Sequence, residues 1–329
     1  MLIVDKQDVE RTFAMPVAIR VMREALMALD RGEALQPPRA SVSLPPAGAM
    51  CWLMPAYAGH PASLGVKVLT AFAGNAGSAF DTHQGAVLLF GDHGELLALV
   101  DATSITATRT AAVSAVATDA LARADATRLA ILGSGAQAMS HMAAMREVRS
   151  ISMTTVWSRS VDHADRFARA VGDAFDVDVQ VCRTVAQAVA DADIICTATG
   201  AQTPILDDGL IRRGVHINAV GSGSAMHREL SSAVVRDAVV YVDRIESALR
   251  EAGEIVLAIA DGTITDAHIQ GEIGAVLTGR VHGRRSDGEV TLFKSVGLGV
   301  EDVAAASAIH AACVRQGFGT QVSFGVSAR

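Results

Sequence analysis

Only four cysteines occur in the 329 residues, Cys51, Cys182, Cys196 and Cys313, far apart and without a C-x-x-C pair. Their scarcity argues against a disulfide framework and against a structural zinc site, so no metal is expected and a reducing cytoplasm fits best. Aromatic residues make up 4% of the chain, so the interior is expected to be aliphatic rather than built around large rings. Charged residues are only 19%, and the net charge of −7 contains no long run of one sign. The concentrated basic face that a phosphate backbone requires is missing, and nucleic acid is not an expected partner. No stretch of about 18 consecutive apolar residues occurs, which argues against a membrane span. The N-terminal "MLIVDKQDVERTF" carries an acid within its first five residues and no apolar region of the secretory kind.

Glycine (29 residues) and small aliphatic side chains are plentiful, and half of the chain is hydrophobic, as in a soluble α/β protein. The length suits two domains. From Thr127 to Asp243, short apolar runs alternate with helical patterns: "LAIL", a helix from Ala136, "TTVWS", "HADRFARAV", "VQV", "AQAVA", "DIICTAT", "HINAVG" and "VVYVD". Such alternation predicts parallel βαβ units wound on both faces of one sheet. Residues 1 to 118 read differently, with a helix over "MPVAIRVMREALMALDRG", the Pro-rich "LQPPRASVSLPP", and strands "GAVLLF" and "ELLALVD" around "GDHG". An antiparallel α+β segment is expected there. The Ala-rich tail "VGLGVEDVAAASAIHAACVRQG" is helical in pattern and is expected to return to that first segment. The expected division is therefore 1–118 with 300–329, and 119–299 for the Rossmann domain.

The apolar run ending at Leu132 leads into Gly133-x-Gly135-x-x-Ala138 and then a helix. Gly133 can make the tight turn, and Gly135 lets backbone N–H groups approach a pyrophosphate at the helix N-terminus, where Ala136 and Gln137 follow. The end of the next strand sets cofactor preference, because a carboxylate there would accept from a ribose 2′-hydroxyl and repel a 2′-phosphate. It reads Ser158-Arg159-Ser160. An arginine and two hydroxyls suit a 2′-phosphate, so NADP(H) is expected to be preferred, with NAD(H) still possible. Two further loops fall at carboxyl ends of strands, where open α/β sheets bind ligands. They carry Thr197, Ala198 and Thr199, and Val220, Gly221 and Ser222, whose small side chains leave room for the cofactor.

Three cations stand among apolar or small neighbours: Arg39 in "PPRASV", Lys67 in "LGVKVLTAF" and Arg109 in "ITATRTAAVSA". Singly, each is ordinarily a surface or ion-paired side chain. Converging, they could hold a carboxylate while Lys67, whose pKa shifts readily on burial, exchanges a proton. Thr82 and His83 in "DTHQG" precede a strand and are candidates to approach the cofactor, although a structural histidine fits the same pattern.

With "GVKVLTAFAGN", "THQGAVLLF", "ITATRTAAVSA", "ILGSGAQA", "WSRS", "ADIICTAT", "HINAVG" and "TLFKSVGLGVED" in this order, the chain resembles the ornithine cyclodeaminase and mu-crystallin family over nearly its full length. The resemblance implies a homodimer in which a discontinuous α+β domain binds substrate and dimerises while the Rossmann domain binds the cofactor. It further implies that Arg39, Lys67, Arg109 and Val296 face the substrate, that Arg109 also approaches the nicotinamide, and that Ser295 lines the cofactor.

Two departures from the family pattern bear on chemistry. Members that cyclise ornithine carry a Glu just before "LMP" and an Asp after "NAVG"; here those places hold Trp52 and Gly223. Without either carboxylate, the second ammonium of a diamino acid would be buried unpaired, at a cost of several kcal/mol. "THQ", "WSRS" and "FKSVG" resemble the ketimine reductase branch, which reduces Δ1-pyrroline-2-carboxylate and Δ1-piperideine-2-carboxylate. The expected activity is thus NADPH-dependent reduction of a cyclic imino acid. The alternatives are alanine-dehydrogenase-like or acyclic 2-imino acid reduction, ornithine cyclodeamination, and a non-catalytic crystallin-like protein that binds NADPH.

Overall fold

A computed structural model of the chain describes every residue except 46–47, 60–61, 76–77 and 326–329. Its strands are β1 (Leu2–Val4), β2 (Ala40–Ser43), β3 (Ala49–Ala58), β4 (Ser63–Phe72), β5 (His83–Phe90) and β6 (Leu96–Asp101). These are followed by β7 (Arg128–Leu132), β8 (Met153–Trp157), β9 (Val179–Val181), β10 (Ile194–Thr197) and β11 (His216–Ala219). The last are β12 (Val239–Val242), β13 (Ile269–Glu272), β14 (Thr291–Lys294) and β15 (Thr320–Gln321). Two compact units contain them, Met1–Arg109 with Leu298–Arg329, and Thr110–Gly297. The change of unit falls at Arg109 inside the helix Ala102–Leu121, so the expected end of the first segment at residue 118 lies within a helix. No Gly or Pro interrupts that helix, which is why its sequence marks no boundary.

The first unit is built on a seven-stranded sheet in the order β15-β1-β6-β5-β4-β3-β2. It is antiparallel as expected except for one pair: β1 runs parallel to β6, with Ile3 beside Leu99. The long β3–β4 hairpin sets the faces, because side chains alternate across a strand and the register places Met54 opposite Lys67 and Lys67 opposite Val87. Trp52, Met54, Lys67, His83 and Val87 therefore share one face. The helix Gly299–Gln316 packs on β3, β4 and β5. It buries Met54 to 2% exposure and Val87 to 0%. On the opposite face Val42, Leu53 and Leu64 remain exposed.

The second unit is an eight-stranded sheet, parallel throughout, in the order β13-β12-β14-β11-β10-β7-β8-β9. Strands covered on both faces read as unbroken apolar runs rather than alternating ones, and Leu129 to Leu132 are accordingly all buried. The order in which strands are added reverses between β7 and β10, which makes the carboxyl ends of these two strands the crevice where such sheets bind ligands. Among the described residues no helix is long and apolar enough to cross a membrane.

Candidate active site

In the second unit the turn after β7 is forced by its glycines. Gly133 has a φ of 126°, and a Cβ there would collide with the Ala198 carbonyl, so the turn and the loop after β10 pack backbone to backbone. A Cβ on Gly135 would meet no protein atom, which leaves open the space before the helix Ala136–Val148. A cavity of about 350 Å³ lies there, reaching from Gly133 and Gly135 past Ser158, Arg159 and Ser160 to Thr199. None of its described lining residues is acidic, and Arg159 is exposed. Ser134 Oγ donates to Ser158 Oγ over 3.0 Å. Ser160 caps the helix Val161–Phe175 by accepting from the His163 amide. His163, a residue the sequence reading did not select, also lines the cavity. Ala136 lines an adjoining groove with Met139 and Arg166, and Gln137 is half-buried on the first turn of the helix.

The loops after β10 and β11 are held from beneath by a buried carboxylate. Glu229, 0% exposed, accepts from Thr197 Oγ1 at 2.6 Å, from Thr199 N and Oγ1 at 2.7 and 2.6 Å, and from Gly221 N at 2.8 Å. Burial raises its pKa, opposed in part by the Thr197 and Thr199 donors and by Lys294. The hydroxyls of Thr197, Ser222 and Ser295 donate within the protein, to Glu229, the His227 carbonyl and Asp243. These three residues support the loops through their side chains, whereas Ala198 and Thr199 line the cavity and Val220 is half-buried on the second loop. Asp243 Oδ2 also accepts from the amides of Val296 and Gly297, fixing the chain after β14.

In the first unit Lys67 and Arg109 meet two acids that sequence reasoning passed over. Lys67, 1% exposed, donates from Nζ to Asp302 Oδ1 at 3.0 Å and to Thr106 Oγ1 at 2.6 Å. Arg109 donates from Nε to the same Asp302 oxygen at 3.1 Å and from Nη1 to Glu301 Oε2 at 2.6 Å. The cations are thus not set among apolar neighbours alone: two of the three are paired with acids on the first turn of the helix Gly299–Gln316. Asp302 Oδ2 is buried with no hydrogen-bond partner among the described residues. Burial lowers the Lys67 ammonium to about 8; Asp302 opposes this, while the charges of Arg109 and Arg39 push further down. Arg39, half-buried just before β2, therefore joins the group through its field on Lys67. His83 opens β5 on the Lys67 face, with Thr82 Oγ1 within 3.2 Å of its Nδ1. Partial burial and then the Lys67 charge lower its pKa. Trp52 occupies the same face, and Gly223 is exposed, so neither place offers a carboxylate.

The only written hint of the acid pair was "GVED" at the head of the tail helix. Two adjacent acids in an Ala-rich helix ordinarily mark a solvated turn, and pairing with residues some 200 positions earlier leaves no local pattern.

The model of the ornithine cyclodeaminase/mu-crystallin family matches residues 1–317. Ketimine reductase mu-crystallin of Mus musculus is 39% identical over 280 residues, covering 85% of each chain. Delta(1)-pyrroline-2-carboxylate reductase of Bacillus cereus is 34% identical over 326 residues, covering 98% of this chain and all of that one. Among solved structures, Delta(1)-pyrroline-2-carboxylate reductase of Thermococcus litoralis, in complex with NADH and L-proline, superposes with a TM-score of 0.95 at 33% identity. The superposition covers 98% of this chain and 100% of that one.

Proposed function

The chain belongs to the ornithine cyclodeaminase/mu-crystallin family, and from that premise we propose that it reduces cyclic ketimine carboxylates with NADPH. The substrates are Δ1-pyrroline-2-carboxylate and Δ1-piperideine-2-carboxylate, and the products are of the L-proline and L-pipecolate type. Lys67 carries this reading: a buried ammonium, lowered to about 8 and lying in the field of the Arg109 and Arg39 charges, can attract a carboxylate and release a proton near neutral pH. The relatives named for these reductions, and the neighbour holding NADH and L-proline, support the same chemistry.

A bound reduced nicotinamide supplies the hydride that adds to the imine carbon. The protein's own groups do the rest. Arg39 and Arg109 hold the substrate carboxylate, with Arg109 itself braced by Glu301 and Asp302 so that its planar face is fixed before substrate arrives. Lys67 donates its proton to the imine nitrogen, so that imine, hydride and one proton become the secondary amine. Gly133, Gly135 and the N-terminus of the helix Ala136–Val148 suit the pyrophosphate, and Thr82, His83, Val296 and Ser295 belong to the proposed surroundings of substrate and cofactor. The exposed apolar face carrying Val42, Leu53 and Leu64 supports a homodimer formed through the first unit.

NAD(P)H oxidation by the purified protein tests the activity. Turnover is expected with the two cyclic imines, little with pyruvate plus ammonia, and none without substrate; ornithine with NAD should yield no proline above background. Rapid cyclisation of ornithine, or no oxidation with either ring, would remove this reading.

NADPH preference rests on the cavity beside Ser158, Arg159 and Ser160, where a cation and two hydroxyls stand and, among the described residues, no acid does. Arg159→Asp is expected to raise the KM for NADPH by about tenfold or more while leaving that for NADH within a few-fold, since a charge-assisted contact is worth roughly 1.5–3 kcal/mol. Equal KM changes for both cofactors, measured by initial rates, would mean that Arg159 faces only solvent.

A further inference from the structure

Beneath the cavity of the second unit lies a set of buried acids whose partners are backbone amides, threonine hydroxyls and a lysine of the protein itself. Glu254 accepts from the Glu229 amide at 2.9 Å and pairs with Lys294 at 2.9 Å, and Lys294 donates to the Ser222 carbonyl at 2.6 Å. Glu229 stands at the centre of the set. Its Oε1 takes Thr199 N and Oγ1, and its Oε2 takes Gly221 N and Thr197 Oγ1. Thr199 lines the dinucleotide cavity and contributes to the loop that Gly133 touches through Ala198. Gly221 lies on the other loop, and a Cβ there would collide with the Thr199 backbone and with Glu229 Oε1. One carboxylate therefore ties together the carboxyl ends of β10 and β11.

We propose that Glu229 is a positioning residue for the nicotinamide half of the cofactor, acting through Thr199 and Gly221 and contacting neither cofactor nor substrate. The inference rests on the nicotinamide-binding reading above. Ionised, Glu229 offers only acceptors, and two of its partners, Thr199 N–H and Gly221 N–H, are donors that cannot reverse. Because these two amides point at different oxygens, a glutamine in its place must turn its NH2 toward one of them whichever way the side-chain amide is flipped. One loop is then pushed off its place. Leaving a buried donor facing a donor costs more than losing an ordinary hydrogen bond.

The consequence differs from that of a change at Arg159. Glu229 lies beneath the loops after β10 and β11, whereas the residues proposed to receive a 2′-phosphate, Ser158, Arg159 and Ser160, lie at the end of β8, so both nicotinamide cofactors should suffer alike. Glu229→Gln is expected to raise the Kd for NADPH and for NADH by the same factor, on the order of tenfold. It should also lower kcat, with the NADPH/NADH ratio and the KM for the imine within about twofold of wild type. Gly221→Ala, which pushes on the same junction from the other side, should reproduce this pattern and keeps the proposal testable should the glutamine variant fold poorly.

Titration of cofactor fluorescence, thermal unfolding with and without cofactor, and initial rates on the full chain measure all of these quantities. A lower melting temperature with unchanged cofactor Kd and kcat in both variants would make Glu229 a structural residue only and overturn the proposal, as would a change confined to NADPH. Failure of the wild type to bind either nicotinamide would remove the parent reading together with this one; wild-type binding with unaltered variants would remove this one alone.

Discussion

Replacing Lys67 by arginine should lower kcat for imine reduction by about 10² or more, the usual scale for loss of a general acid and equivalent to about 2.7 kcal/mol of barrier. The charge is kept, so the expected loss comes from the proton. Lys67 Nζ directs two of its donors to Thr106 and Asp302, which leaves a third for a substrate, and its ammonium is lowered to about 8 by burial. Guanidinium keeps its proton at any pH an enzyme meets. NADPH affinity, which the proposed site assigns chiefly to the second unit, should stay near wild type. Lys67→Met removes charge and proton together, and should add a rise in the KM for the imine to the fall in kcat. Single-turnover rates between about pH 6 and 9 decide the matter: an arginine variant with near-normal kcat throughout would mean that solvent or an already protonated iminium supplies the proton, and that Lys67 only attracts the carboxylate.

The parts of this protein that were legible in its sequence are those where local pattern and tertiary role coincide. β7 and β10 are covered on both faces, so they appear as short, largely apolar runs between helical stretches, and the turn at Gly133 and Gly135 could be placed from the strand before it and the helix after it. Sheet order was less legible. β14 inserts between β11 and β12, and the four-residue β13 occupies the edge, because short late strands choose neighbours by packing rather than by anything written near them. The β3–β4 hairpin was also obscure, since "AMCWLMPAYA" is apolar on both faces and contains Pro55, which usually argues against a strand interior.

At the candidate site, Lys67 and Arg109 stood out because charge is rare in their surroundings. Their partners did not stand out for the opposite reason: Glu301 and Asp302 begin a helix, where acids are ordinary, and only the fold shows that the first turn of this helix is buried against β3 and β4. Glu229 is harder still. Its segment "MHREL" has no periodicity, and its four donors come from two separate stretches, Thr197 to Thr199 and Gly221. Charge in a sparsely charged sequence was a usable sign for the cations; for the acids the sign was erased by their helix or loop setting.

Asp302 should govern the pH at which the enzyme works. A proton donor must carry its proton, so activity resting on Lys67 is present below its pKa of about 8 and declines as pH rises through that value. Burial, Arg109 and Arg39 all pull this pKa down, whereas Asp302 pulls it up through both its charge and its hydrogen bond. Asp302→Asn keeps the size of the side chain and can still accept from Lys67, but removes the negative charge 3.0 Å from Nζ. The protonated form then loses its main support, and the alkaline limb of kcat against pH should move toward acid by on the order of one pH unit, since a hydrogen bond to a charged group is worth roughly 1.5–3 kcal/mol and one unit is about 1.4. Near pH 7.5 that displacement should cost most of the activity, and lowering the pH should restore much of it. A merely structural asparagine defect would depress kcat at every pH without moving the limb. The Lys67→Arg variant supplies the control, because a side chain that stays protonated should leave no limb in this range at all. If Asp302→Asn leaves the midpoint in place while Lys67→Arg abolishes the limb, Lys67 is the donor but its pKa is set by burial alone; if the limb persists in both, it belongs to another group, and proton donation by Lys67 is excluded.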